Sequence, residues 1–339
     1  MRVAENLNAA LHAVLAGDPG AHLLGEDVAD PYGGAFKITR GLSDRYPDRV
    51  LTTPISEAGI TGVACGLALC GDAAIVEMMF GDFVALAFDP LVNLAAKSVS
   101  MYGARQPVRL VVRCPSGGGR GYGPTHSQSL MKHFLGVPGL SVYELSPFHE
   151  CLGVFEEMLA LGEPCLFIED KVTYTRPMFP DVAPFRLDRD GGVARVFLDE
   201  RPDCVIIAPG GMAHRAVEAM RSLLIEEEIS AMLMVPSRLY PVAVEAVAVE
   251  RTGTEVVFVA EESTGGGTWG ICCFWMCATA RELCKWCLTK RPSPKRMRRR
   301  SRCAANSLWP LKAKSCNAAR QIRKSRRARW SWPLRNCTS

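Results

Sequence analysis

The order of apolar and polar positions divides the chain into alternating helical and extended segments. In residues 5 to 16, Leu7, Leu11, Val14 and Leu15 recur at helical spacing and the run stops at GDPG, which predicts an amphipathic helix with one buried face. AHLLGEDV then predicts a short strand running into a polar turn, RVLTTPI a second strand, and AAIVEMMF a third, entered from Gly71 and Asp72. FDPLVNLAAKSVSM has the helical period, PVRLVVRC is an apolar strand, and GLSVYEL and PCLFIED complete the set. Short apolar runs separated by helices predict a parallel sheet covered on both faces, an α/β domain that ends near residue 180.

PMFPDVAPFRLDRDGG is rich in Pro and Asp and predicts a linker, placed over residues 181–200. A smaller α/β unit follows over 201–270: strand DCVIIAPG, helix AHRAVEAMRSLLIEEEI, strand SAMLMVPS, helix VAVEAVAVERTG, strand EVVFVAEES and a glycine turn TGGGTWG. A complete unit of this kind continues with an amphipathic helix and a strand. Here the pattern breaks instead, and the second unit is expected to be truncated.

Charge sharpens that break. The net charge of +5 sums two unlike parts: residues 271–339 hold 19 Lys or Arg against the single acidic Glu282, while the first 270 residues hold 21 basic and 34 acidic ones. Eight of the 14 cysteines and five of the six tryptophans also fall in this tail. The other six cysteines sit mostly inside apolar runs, as expected of buried thiols in a reducing compartment. No apolar run approaches the roughly 18 residues of a membrane span, and the first residues lack a continuous apolar signal core, so a cytoplasmic location is expected. Three readings of the tail stand open: a zinc site around CKWC, a basic nucleic-acid-binding arm, and a reading frame that slips after Gly270 to give a non-native peptide.

One stretch carries chemistry. In RVLTTPISEAGITGVACGLALCG, Thr53 or Ser56 can cap a helix and Pro54 is tolerated near its start, which sets Glu57 in the first turn. A first-turn Glu often does no more than complement the helix dipole. Gly59, Gly62 and Gly66 point further, because three helical glycines cost roughly 2–3 kcal/mol relative to alanine. Close approach of another backbone or a ligand would offset that cost, with Glu57 held at the C-terminal edge of the sheet, where open α/β sheets bind ligands. The loop in VRLVVRCPSGGGRGYGPTHSQS has neither a G-x-x-x-x-G-K-[ST] nor a full G-x-G-x-x-G pattern, so it is read as a loop presenting His126 rather than a phosphate cradle. His126 can equally be a structural histidine bonded by Ser127 or Gln128. Phe80, Phe83 and Phe88 read by themselves as core residues, and the histidines have no metal-ligand spacing, so no metal site built from protein alone is expected.

Taken in order, LLGEDVADPYGGAFKITRGL, TTPISEAGITGVACGLAL, EMMFGDFVALAFDPLVNLAAK and PTHSQS resemble the beta subunit of the 2-oxo acid dehydrogenase decarboxylase component, among the transketolase-like thiamine diphosphate enzymes. The resemblance is close over residues 1–180 and looser over 200–270. It implies a pyrimidine-binding domain in the first unit and a transketolase C-terminal-like second unit. The family's carboxylate falls on Glu57, which would hydrogen-bond a ring nitrogen of the cofactor's aminopyrimidine as an acid/base partner. The stacking aromatic falls on Phe83, and the loop histidine on His126, at the substrate end. The family's G-D-G motif for diphosphate and Mg2+ is incomplete here, since CGDAAIVE lacks the second glycine and the later asparagines.

The resemblance therefore implies an alpha subunit that holds the Mg2+, a second beta chain in a heterotetramer, a lipoyl-bearing acyltransferase component and a 2-oxo acid substrate, with a chain inactive by itself. Neither a membrane nor nucleic acid is an expected partner on this reading. The alternative is a non-catalytic or degenerate relative that acts as an interaction protein through its basic tail.

Overall fold

The computed structural model describes residues 1–262, except Gly191, residues 243–246, residues 248–252 and Glu255. The chain begins with α1 (Val3–Gly17), whose Val3, Leu7, Ala10 and Leu11 are buried at helical spacing. At its start the Glu5 carboxylate accepts the Arg2 backbone N–H at 2.8 Å, satisfying a donor that the helix leaves unpaired. Then follow β1 (Ala21–Gly25), α2 (Leu42–Arg45), β2 (Val50–Thr52), α3 (Glu57–Leu69) and β3 (Ala73–Glu77). A 3-10 segment (Gly81–Ala87) and a π-helical turn (Pro90–Ala95) lead into α4 (Ala96–Ser98), so the helical pattern expected there forms with irregular winding around Pro90. After it come β4 (Leu110–Ser116), β5 (Ser141–Glu144), α5 (Cys151–Ala160) and β6 (Cys165–Asp170).

These strands build a sheet in the order β5–β6–β4–β3–β1–β2, every neighbouring pair parallel. The two-residue period of a strand sorts its side chains between two cores. Leu23, Ala73, Ile75, Val111 and Phe167 face α1 and α5, while Leu24, Ala74, Val76, Val112 and Leu166 face α3 and the segment after β3. Both faces are covered, which is why the strands read as continuous apolar runs.

The same parity sets three charged side chains near the C-terminal end of the α1 and α5 face: Glu77, Arg113 and Glu169. Arg113 is fully buried and forks onto Glu169, with Nε to Oε1 at 2.8 Å and Nη2 to Oε2 at 2.9 Å, while Nη1 donates to Glu77. Tyr174 donates its hydroxyl to Glu169 Oε2, the oxygen that also accepts from Arg113 Nη2. The 26–41 loop closes over this group, since a side chain at Gly34 would run into Glu77 Oε1.

The second unit contains β7 (Arg186–Asp190), β8 (Val193–Phe197), β9 (Cys204–Ile207), α6 (Ala213–Glu227), β10 (Ala231–Pro236), β11 (Arg238–Tyr240) and β12 (Val257–Val259). Its sheet runs β12–β9–β10–β8–β7, with β12, β9 and β10 parallel and β8 antiparallel to both β10 and β7. The stretch expected as a linker is therefore corrected over 186–197, where it forms a strand pair. Its charged residues suit β7 at the sheet edge, while in β8 Ala194 and Val196 face the core of the second unit and Val193 faces the core shared with the first sheet. β11 crosses back and pairs antiparallel with β5, extending the first sheet to seven strands. Val205, Ile207, Met232 and Met234 share one core with Leu166 and Ile168, so the two sheets are joined by apolar contact. Among the described residues no helix is long and apolar enough to cross a membrane. Most of the expected 242–253 helix, the glycine turn and the whole 271–339 tail lie outside the described residues.

Candidate active site

The C-terminal ends of β1, β2, β3, β4 and β6 converge on one edge of the sheet. There the chain leaves β2 at Thr52, makes the short TPIS connection, and starts α3 on Glu57 itself. Ser56 is the residue before the helix, but neither it nor Thr53 caps it, and the Thr53 hydroxyl is buried without a hydrogen-bond partner among the described residues. Glu57 is 5% exposed. Its electrostatic neighbour is Glu26, one residue past β1, which is 6% exposed and has a buried Oε1 with no partner among the described residues. Burial first, then the charges of Glu57 and Asp27, raise the Glu26 carboxyl above the usual carboxylate range. Two buried carboxylates and an unsatisfied hydroxyl at a strand edge are costly unless something polar engages them. They fit a hydrogen-bonding heterocycle.

No backbone of the described residues makes the close approach expected at the three glycines. A methyl group at Gly62 or Gly66 would meet nothing within 4 Å, and one at Gly59 would meet only the Ser56 side chain. That face of α3 is open, with Val63 58% exposed beside it.

Phe83 and His126, far apart in the chain, stand together here. Their ring centroids are 5.3 Å apart, and His126 also stands edge-on to Phe80 at 4.7 Å. Phe36 and Tyr122 extend the aromatic group around Phe80. Phe80 and Phe83 are thus half-buried around the histidine rather than sealed in the core, and Phe88 is 40% exposed. The His126 ring meets Thr125, with Nδ1 2.9 Å from its hydroxyl, not Ser127 or Gln128.

Several charged residues around this loop carried no signal in the sequence. Asp82, between the two phenylalanines, is 5% exposed and accepts the Gln128 N–H at 3.0 Å. Glu262, past β12, accepts the Gly118 N–H at 2.7 Å. Lys171 is fully buried, with Nζ 3.3 Å from the Pro115 carbonyl and 5.9 Å from the Phe80 ring. Burial lowers its pKa, while Asp82, Asp170 and Glu262 act the other way. Glu26 and Lys171 each stand one residue past a strand's C-terminal end, a placement that marks ligand edges in open α/β sheets.

Beside this edge the two units lock together. Glu144 and Asp170 lie against Gly210 and Gly211 ahead of α6, so closely that a Cβ there would sit 1.8 Å from either carboxylate. Burial, reinforced by Asp170, pushes the Glu144 carboxyl up to about 8, and burial also raises Asp170.

Residues 1–177 match the family described as the transketolase pyrimidine-binding domain. Over 234 residues the chain is 37% identical to the pyruvate dehydrogenase E1 component subunit beta-1, mitochondrial, of Oryza sativa subsp. japonica, which uses 68% of this chain and 62% of that protein. Over 266 residues it is 34% identical to the acetoin:2,6-dichlorophenolindophenol oxidoreductase subunit beta of Cupriavidus necator, covering 74% of this chain and 76% of that protein. The chain therefore spans less than two thirds of the rice relative's length. Among solved structures, a split-gene transketolase described as an inactive beta4 tetramer superposes with a TM-score of 0.63 at 21% identity, over 83% of this chain and 86% of that one, a likeness of fold.

Proposed function

The chain belongs to the transketolase pyrimidine-binding-domain family, alongside the beta subunits of 2-oxo acid dehydrogenases, and on that premise we propose that it forms one half of a thiamine diphosphate site. The reaction class is oxidative decarboxylation of a 2-oxo acid with acyl transfer to a lipoyl group. The observation that carries this reading is Glu57, a buried carboxylate on the first residue of α3, facing a second buried carboxylate at the edge of a parallel sheet.

Bound thiamine diphosphate supplies the electron sink for decarboxylation. The chain's own residues prepare it. Glu57 holds or returns a proton at an aminopyrimidine ring nitrogen, and its burial keeps that hydrogen bond from competing with water. Burial and the charge of Glu57 make the neighbouring Glu26 carboxyl hold its proton more readily, because two close carboxylates resist ionising together. Phe83 offers a ring face to the heterocycle. His126, beside it, stabilises charge or handles a proton when the acyl group moves on. A partner alpha subunit would hold the diphosphate and Mg2+, with a second beta chain and a lipoyl-bearing component completing the assembly.

The test is Glu57→Gln in the full chain, co-expressed with a matching alpha subunit. Loss of one positioned acid/base group is expected to lower decarboxylation about 100-fold or more. Undiminished turnover would refute the assignment. Thiamine diphosphate binding is expected only when the alpha chain is present, and calorimetry on each chain and on the pair checks this.

A further inference from the structure

The loop that carries His126 is held by its ends. The Gly117 N–H donates to the Gln128 carbonyl at 3.2 Å, closing a neck, and the residues between Gly121 and Thr125 are exposed. A compact loop of this kind keeps its ends together and leaves its middle to the solvent. At one side of the neck, Asp82 Oδ1 accepts from Gln128 N–H, and at the other Glu262 Oε1 accepts from Gly118 N–H. Asp82 lies in the same short 3-10 segment as Phe83, directly after Phe80 and Gly81, so a single piece of chain presents the two rings that touch His126 and the carboxylate that fixes the backbone two residues further on. Gly81 lets this segment lie against β4, since a Cβ there would collide with the Ser116 hydroxyl.

A buried carboxylate spent on one backbone donor needs a reason. Asp82 Oδ2 is buried and has no hydrogen-bond partner among the described residues, and the positive charge that offsets it is the buried Lys171 beneath the neck. An Asn in its place would accept the same bond without a charge to compensate, although a carboxylate acceptor holds an N–H more strongly.

We propose that Asp82 is a positioning residue for His126, setting the distance and angle at which the ring meets Phe83 by anchoring Gln128, with Lys171 as its counter-charge and Glu262 of the second unit holding the opposite side of the neck. The catalytic consequence rests on the thiamine diphosphate reading; the anchoring does not.

The experiment compares Asp82→Ala and Asp82→Asn in the full chain, with Gln128→Pro as a variant that removes the donated N–H from the loop side, together with the Gln128 side chain, and leaves Asp82 and Lys171 in place. Hydrogen exchange at the Gln128 amide is expected to speed up about tenfold in Asp82→Ala, the loss of one charge-assisted bond, and to stay near wild type in Asp82→Asn. With a matching alpha subunit, lipoyl acylation is expected to fall toward the level of His126→Ala in both Asp82→Ala and Gln128→Pro, while decarboxylation read with an artificial electron acceptor holds within about twofold. Unchanged exchange at Gln128 in Asp82→Ala overturns the proposal. Equal loss in both half-reactions does so too, because that is the signature of general destabilisation. If Asp82→Ala does not fold, Gln128→Pro decides: intact acylation there refutes the anchor. A wild-type pair without thiamine-dependent activity would refute the functional reading, and the exchange comparison then decides the anchoring by itself.

Discussion

Arg113 shows how much one residue can hold. Its guanidinium is fully buried between two carboxylates on neighbouring strands, and its proton is held more tightly than in a free arginine because Glu169 and Glu77 outweigh the cost of burial. Glu77 still has a raised carboxyl, since burial outweighs the help it receives from Arg113. Removing the cation would leave two buried carboxylates uncompensated. Arg113→Leu is therefore expected to cost roughly 3–5 kcal/mol, read as a lower midpoint in urea unfolding. The bare sequence shows Arg113 as a polar break in an apolar strand; only strand neighbours bring it two partners. Glu57 was more legible, because the turn before it and the helix after it are both local, whereas its neighbour Glu26 comes from a different strand end.

At the scale of elements, two sets of glycines behave in opposite ways. Gly210 and Gly211 allow the entry to α6 to lie on Glu144 and Asp170, while Gly62 and Gly66 on α3 have no neighbour within 4 Å of an added methyl. Gly211→Ala should lower stability by about 1–3 kcal/mol through overpacking against Asp170. Gly62→Ala should raise the stability of the isolated chain by up to about 1 kcal/mol through helix propensity. Thermal melts of both variants check the contrast, and a stabilising Gly211→Ala would refute the close packing at the junction. Sequence spacing drew attention to the α3 glycines and passed over the α6 pair, since a glycine's cost is local but the contact that requires it is not. The strand pair over 186–197 was missed for a related reason: Pro and Asp mark loops and edge strands alike, and only the pairing partner separates them.

At the scale of the molecule, the two sheets share an apolar core and an acidic junction, and the junction gives the fold a pH dependence. The Glu144 carboxyl, pushed up to about 8, binds its proton more tightly folded than unfolded. Its contribution to stability is complete below the ordinary carboxylate value of about 4.3 and is lost as pH rises through about 8. The melting temperature should therefore fall by a few degrees between pH 6 and 9, and Glu144→Gln should flatten that fall while keeping an acceptor for Gly211. An unchanged slope in the variant would assign the dependence elsewhere. The sequence by itself determined the alternation of strands and helices, the parallel sheet buried on both faces, and Glu57 at a helix start, because hydrophobic period, turn residues and capping act over a few positions. Tertiary structure alone decided that β11 returns to the first sheet, that Arg113 is doubly paired, that Phe83 meets His126, and that Asp82 and Glu262 hold the loop between them. Those contacts join residues tens to more than a hundred positions apart, and what brings them together is the order of strands in the sheet.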